Sequence, residues 1–122
     1  MLCCLALSST GAFGQAIAPV DARRHLGESV TVCGLVTAIH RPDFRPSTPV
    51  FLNLGEPTPL RQELRVLVPG AFAATQDLNR WWGRSICLSG RVEGVVLEPG
   101  LRVPQMMWTS INQLRVGPRR VI

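Results

Sequence analysis

A chain of 122 residues with an apolar share of 46% and a formal net charge of +5 is one globular domain, large enough to hold a core without help from a metal. That composition excludes a disordered chain, and no segment is long and apolar enough to span a membrane as a helix. All 13 basic residues are Arg, a side chain that forks onto phosphate and stacks on flat rings better than Lys does; the other reading of the charge is solubility alone.

The chain opens on a short apolar run, Leu2 to Leu7, followed by small residues and Ala12-Phe13-Gly14. Small residues three before and one before a cut fit an export signal over 1–14. The charged start of such a signal is missing, since no Arg precedes Arg23, and the alternative is an apolar N-terminal tail. Read as a signal, the segment places the mature protein in the periplasm or outside the cell. A folded domain over 19–116 and a basic tail over 117–122, with Arg119 and Arg120, follow.

Pro19 to Leu26 reads as a short helix or turn, and Ser29 to Ile39 as the first strand. His40 to Pro49, HRPDFRPSTP, holds three prolines and is a loop. Val50 to Leu54 is the second strand, Gly55 to Gln62 a turn-rich loop, and Leu64 to Val68 the third strand. The period then changes. Ala71, Ala74, Leu78 and Trp81 or Trp82 share one helical face over Pro69 to Arg80, and Gly83 stands where a helix stops. Trp81 or Trp82 is expected in the core rather than against a ligand. Ser85 to Leu97 is a fourth strand with Gly90 and Gly94 as bend points, Glu98-Pro99-Gly100 a turn, and Arg102 to Val116 a fifth strand interrupted at Pro104.

Two of these strands are near copies. GESVTVCGLV at Gly27 to Val36 returns as GRSICLSGRV at Gly83 to Val92, each a Gly turn, a Ser, alternating apolar residues, an interior Gly and a Val. The expected order, three strands, a helix and two strands, is that of the OB-fold, an all-β, five-stranded Greek-key barrel with one helix between strands 3 and 4.

With Val30, Val32, Ile86 and Leu88 facing the core, Cys33 and Cys87 face the other way, and a cross-strand disulfide is feasible if the two strands are neighbours. The alternative is two unpaired thiols acting as small hydrophobes. Two Cys with the scattered His25 and His40 have no zinc-ligand spacing, and neither metal nor cofactor is expected.

Ala22, His25-Leu26-Gly27-Glu28, Thr31-Val32-Cys33-Gly34, Phe51-Leu52-Asn53-Leu54-Gly55, Pro104-Gln105-Met106 and Gln113-Leu114 are the segments that carry a family resemblance. Over Asp21 to Val116 the chain resembles the small exported bacterial OB-fold domain of nucleic-acid-binding type. That domain occurs alone behind a signal peptide or beside nuclease and helix-hairpin-helix modules. The chain departs from the pattern in its Pro-rich first loop and in the acidic turn after Leu97. The resemblance implies the fold, suggests nucleic-acid binding and does not imply an enzyme.

On such a barrel the ligand crosses the outer face of the second and third strands, between two loops. If Val50, Leu52 and Leu54 point inward, Phe51 and Asn53 point outward; if Leu64, Val66 and Val68 point inward, so does Arg65 point outward. The neighbouring loop adds Arg41, Phe44 and Arg45, and the other loop Arg102. Rings and guanidinium planes stack on bases while the charge meets phosphate. Against this, Glu56 and Glu63 cancel part of the charge, and the face has few stacking residues for a strong binder.

Catalysis is not expected. Asp43, Glu93 and Glu98 each lack a neighbouring carboxylate, no G-x-S-x-G occurs, and no nucleophile stands beside His40 and Asp43. The leading expectation is a non-enzymatic module binding single-stranded DNA or RNA. The alternative is a periplasmic adaptor or stress-related module that binds an envelope protein or a small ligand.

Overall fold

The computed structural model describes residues 16–42, 45, 47–58 and 61–117. Seven strands follow in chain order: β1 (Ala16–Ile17), β2 (Ser29–His40), β3 (Val50–Thr58), β4 (Arg61–Val68), β5 (Ser85–Glu98), β6 (Leu101–Met107) and β7 (Leu114–Val116). One short helix, α1 (Gly70–Ala73), lies between β4 and β5, and 3-10 turns span Pro19–His25, Leu78–Trp81 and Ile111–Gln113. No helix among the described residues is long and apolar enough to cross a membrane.

The sheet order is β1-β2-β3-β4-β6-β5-β7, and β2 also pairs with β5, so that β2, β3, β4, β6 and β5 close a ring of five strands. Within it only β4 and β6 run parallel. The ring with a helix between its third and fourth strands in sequence is OB-like, although the strand count exceeds the five expected. Period-two alternation builds it: Leu52, Leu54, Leu64, Val66 and Val68 turn inward and are almost fully buried, as are Val32, Ile86 and Leu88. Burying each such side chain stabilises the fold by about 1.5–3 kcal/mol.

The two sequence copies pair with each other. Ser29 to Leu35 run antiparallel to Arg91 to Ser85, with Val32 opposite Leu88. The terminal hydrogen bonds are equivalent at both ends: Gly27 N donates to Val92 O (2.6 Å) and Gly83 N to Val36 O (2.8 Å), while Val92 N donates to Glu28 O (3.0 Å) and Val36 N to Arg84 O (2.8 Å). Gly27 and Gly83, in matching positions, take φ of 84° and 78°, where a side chain is disfavoured. A local two-fold axis therefore passes through the Val32–Leu88 pair, and the copies form the seam that closes the ring. In the pair next to that axis Cys33 lies directly opposite Cys87, with Cα atoms 4.0 Å apart, and the two are joined as a disulfide.

Several expectations change. The segment after Leu54 is not a loop: β3 and β4 continue to Thr58 and Arg61, because Pro57 and Gln62 remain in register past a shift at Leu54. The helix shrinks to Gly70–Ala73 plus a 3-10 turn, since Thr75 and Asp77 divide the apolar spacing; Thr75 folds its hydroxyl back onto Phe72 O (2.7 Å). Pro104 does not interrupt the last strand. The break falls at Trp108–Gln113, where Ser110 caps the 3-10 turn and Gln113 Nε2 donates to both Ser89 O (2.9 Å) and Met107 O (2.8 Å). Gly34 has a packing role. A Cβ there would sit 2.4 Å from Pro19 Cγ, so the glycine admits the buried proline, and β2 changes partner at a register shift between Val36 and Ala38. Trp81 and Trp108 are core, the latter edge-on to Phe72 at 5.4 Å between ring centroids, but Trp82 is 65% exposed. The expected signal over 1–14 and the tail beyond Gly117 lie outside the described residues.

Candidate nucleic-acid interface

Register places two rows of side chains across the outer face of the ring. In one, His40 of β2 stands opposite Phe51 of β3, Phe51 opposite Leu67 of β4, and Leu67 beside Met107 of β6. In the other, Ala38, Asn53, Arg65, Gln105 and Glu93 follow one another across β2, β3, β4, β6 and β5. The first row is largely apolar and the second polar.

Phe51 and Arg65 come together across the rows. The Arg65 guanidinium lies over the Phe51 ring, 3.9 Å from its centroid, and both side chains are half-buried. Partial burial pulls the Arg65 pKa down from its ordinary value, through desolvation of the charge. Arg still carries its proton at neutral pH, so the pair is a cation held flat on a ring. The neighbouring carboxylates have partners: Glu63 Oε1 accepts from Glu56 N at 3.1 Å, and Glu93 Oε2 accepts from Arg91 Nε at 2.5 Å.

Asn53 differs from expectation. It sits in the polar row but is buried, with 8% of its surface exposed, rather than displayed to solvent. Its Nδ2 donates to Thr37 Oγ1 (2.7 Å) and to Glu56 O (3.4 Å), and the Thr37 hydroxyl donates to Asn53 O (3.3 Å). The register shift in β2 brings Thr37 against this amide, which sequence parity does not foresee. Asn53 therefore ties β2 to β3 beneath the face.

Arg41 is exposed and its Nη2 donates to Asn79 Oδ1 at 3.3 Å, tethering the first loop to the 3-10 turn before β5. Arg45 is exposed in the same loop, and Phe44 lies outside the described residues. Arg102 is exposed beside the β5–β6 turn. Because β4 and β6 run parallel with Arg65 beside Gln105, Arg102 sits toward the opposite end of the face from Arg41. Thus the structure unites Phe51 and Arg65, sets Arg41 at one end and Arg102 at the other, and withdraws Asn53 from solvent.

Leu67, Met107 and His40 were not among the expected contact residues. Met107 is 50% exposed and completes the apolar row. Parity already carries the signal for Leu67, since it alternates with the inward Val66 and Val68. Met107 could not be placed, because nothing in the sequence aligns β6 with β4.

No family model matches the chain, and no curated protein matches it. Among solved structures, it is similar to a protein of Leishmania major Friedlin assigned as an aspartyl-tRNA synthetase, with a TM-score of 0.55 at 8% identity, over 95% of this chain and 23% of that one. It is also similar to the asparaginyl-tRNA synthetase of Entamoeba histolytica in complex with asparaginyl-adenylate, with a TM-score of 0.51 at 15% identity, over 88% of this chain and 25% of that one. The chain spans about a quarter of the length of each, and at these identities the likeness is one of fold.

Proposed function

We propose that the protein is a non-catalytic, exported OB-fold module that binds single-stranded nucleic acid across the outer face of β3 and β4. The observation that carries the reading is the Arg65 guanidinium stacked on Phe51 beside the apolar row of Leu67 and Met107. A base finds flat surfaces there, and its phosphates find charge. The two similar structures are named as tRNA synthetases, enzymes whose substrate is a nucleic acid, which favours the same reading for the shared fold. The Cys33–Cys87 disulfide favours an oxidising compartment and so supports export.

Fluorescence anisotropy with a labelled single-stranded oligonucleotide tests the proposal. With Arg41, Arg45 and Arg65 each meeting a phosphate, the logarithm of affinity falls against the logarithm of salt with a slope of about −2. Folded protein at tens of micromolar that leaves the oligonucleotide free at low salt rules the reading out. The half-exposed Met107 favours a second reading, an envelope protein docked on the apolar row. Retention of one partner from envelope extract at high salt supports that reading, since an apolar contact is not screened.

A further inference from the structure

The largest apolar side chain left in water lies away from the β3–β4 face. Trp82 is 65% exposed, yet its backbone is firmly held: Trp82 N donates to Asn79 O (3.2 Å), the next residue's N donates to Val36 O (2.8 Å), and Arg84 O accepts from Val36 N (2.8 Å). The indole is thus displayed by a segment stitched to β2, and little backbone freedom remains to be lost when it is covered.

Its surroundings are basic. Arg80 and Arg84 flank it in sequence and both are exposed; the Arg80 guanidinium is laid over the buried Trp81 ring at 4.9 Å. Arg41 reaches into the same segment through Asn79 Oδ1 (3.3 Å). Asp77 is the one acid among the described residues from Gly70 to Arg84. This end of the ring also connects to the face: Arg41 follows His40, which stands opposite Phe51. Successive contacts link Phe51 to this segment: His40 pairs with Phe51, Arg41 follows it and bonds Asn79 Oδ1, and Asn79 O accepts from Trp82 N.

We infer that Trp82, with Arg80 and Arg84, is a second stacking site for the same single-stranded nucleic acid, reached by a strand that leaves the β3–β4 face past Arg41. This rests on the nucleic-acid reading of that face. An exposed indole on a segment that also carries the exposed Arg80 and Arg84 suits a base with its neighbouring phosphates, and charge complementarity favours a polyanion over an apolar protein surface. OB folds engage about 4–16 nucleotides, enough to cover a face and one end of the ring.

The test uses the full chain with unlabelled and fluorescein-labelled (dT)4 and (dT)12. Trp81 and Trp108 are buried, so quenching of exposed-tryptophan emission by (dT)12 reports on Trp82. The expected result is that (dT)12 quenches the wild type, and that Trp82→Ala weakens (dT)12 binding roughly ten-fold while (dT)4 binding changes less. Circular dichroism checks that the variant is folded, and Trp82→Phe, retaining a ring, recovers part of the affinity. If (dT)12 binds, Phe51→Ala and Arg65→Ala weaken it and Trp82→Ala does not, the inference is overturned while the reading of the face stands. Binding of an envelope protein lost with Trp82→Ala, with (dT)12 unaffected, likewise overturns it. No binding of either oligonucleotide to the wild type overturns both.

Discussion

Arg65 and Phe51, on neighbouring strands, hold a guanidinium 3.9 Å above a ring at the centre of the outer face. In solution such a partly exposed pair contributes about 0.5–1 kcal/mol to stability. In the proposed interface its larger role is in contact. Arg65→Lys keeps the charge and loses the planar fork, so oligonucleotide affinity falls several-fold with the salt slope unchanged. Arg65→Ala lowers affinity further and reduces the slope by about 0.7. Anisotropy titrations at several salt concentrations separate the two outcomes; equal slopes for both variants would place Arg65 away from phosphate.

Reduction of the Cys33–Cys87 disulfide lowers stability without unravelling the sheet order. The bridge closes a chain separation of 54 residues, worth about 4 kcal/mol by loss of unfolded-state entropy. Urea unfolding with and without a phosphine reductant measures it, and the midpoint is expected to drop clearly. An unchanged midpoint, or two reactive thiols in the denatured unreduced protein, contradicts the bridge.

Two glycines separate crowding from backbone strain. At Gly83 a Cβ meets nothing within 4 Å, and the cost of Gly83→Ala comes from φ of 78° alone, about 1–2 kcal/mol. Gly34→Ala instead drives a methyl to 2.4 Å from Pro19 Cγ, within a buried contact. Gly34→Ala is therefore the more destabilising, because the Pro19–His25 turn must shift to accommodate it. Thermal unfolding of the two variants ranks them, and the reverse order would show that the turn yields freely.

Asn53 gives a prediction with a pH signature. Asn53→Asp replaces a donor that faces Glu56 O and Thr37 Oγ1 with a carboxylate oxygen in a buried position. Burial raises the folded-state pKa of that carboxyl above its unfolded value of about 3.9. The variant is then closest to wild type below about pH 4 and loses stability as pH rises, since the charged form is disfavoured only when folded. Unfolding midpoints compared at acidic and neutral pH check the sign. A variant that gains on wild type with rising pH contradicts the burial of Asn53.

Much of the architecture is legible from alternation, because inward Val and Leu fix the parity of β2, β3, β4 and β5. The pairing of Cys33 with Cys87 follows from the same parity once the two copies are neighbours. Register across strands far apart in sequence is not legible. It is set by the whole ring, and it decides that Met107 joins Leu67 and that Thr37 meets Asn53. The last strand misleads for a local reason. Pro104 lacks an amide hydrogen yet is accommodated opposite Gly94, while the interruption comes from side-chain hydrogen bonds of Ser110 and Gln113. Of the proposed contact residues, Phe51 and Arg65 are foreseeable as outward positions; that they stack is a matter of three-dimensional reach.

The seam between β2 and β5 fastens the ring, while Phe51, Arg65, Leu67 and Met107, proposed to meet a ligand, sit on strands that take no part in that pairing. Durability and recognition are thereby assigned to separate walls. Substitutions at Phe51, Leu67 or Met107 can retune what this wall grips without loosening the clasp, and substitutions that tighten the clasp leave the wall unaltered.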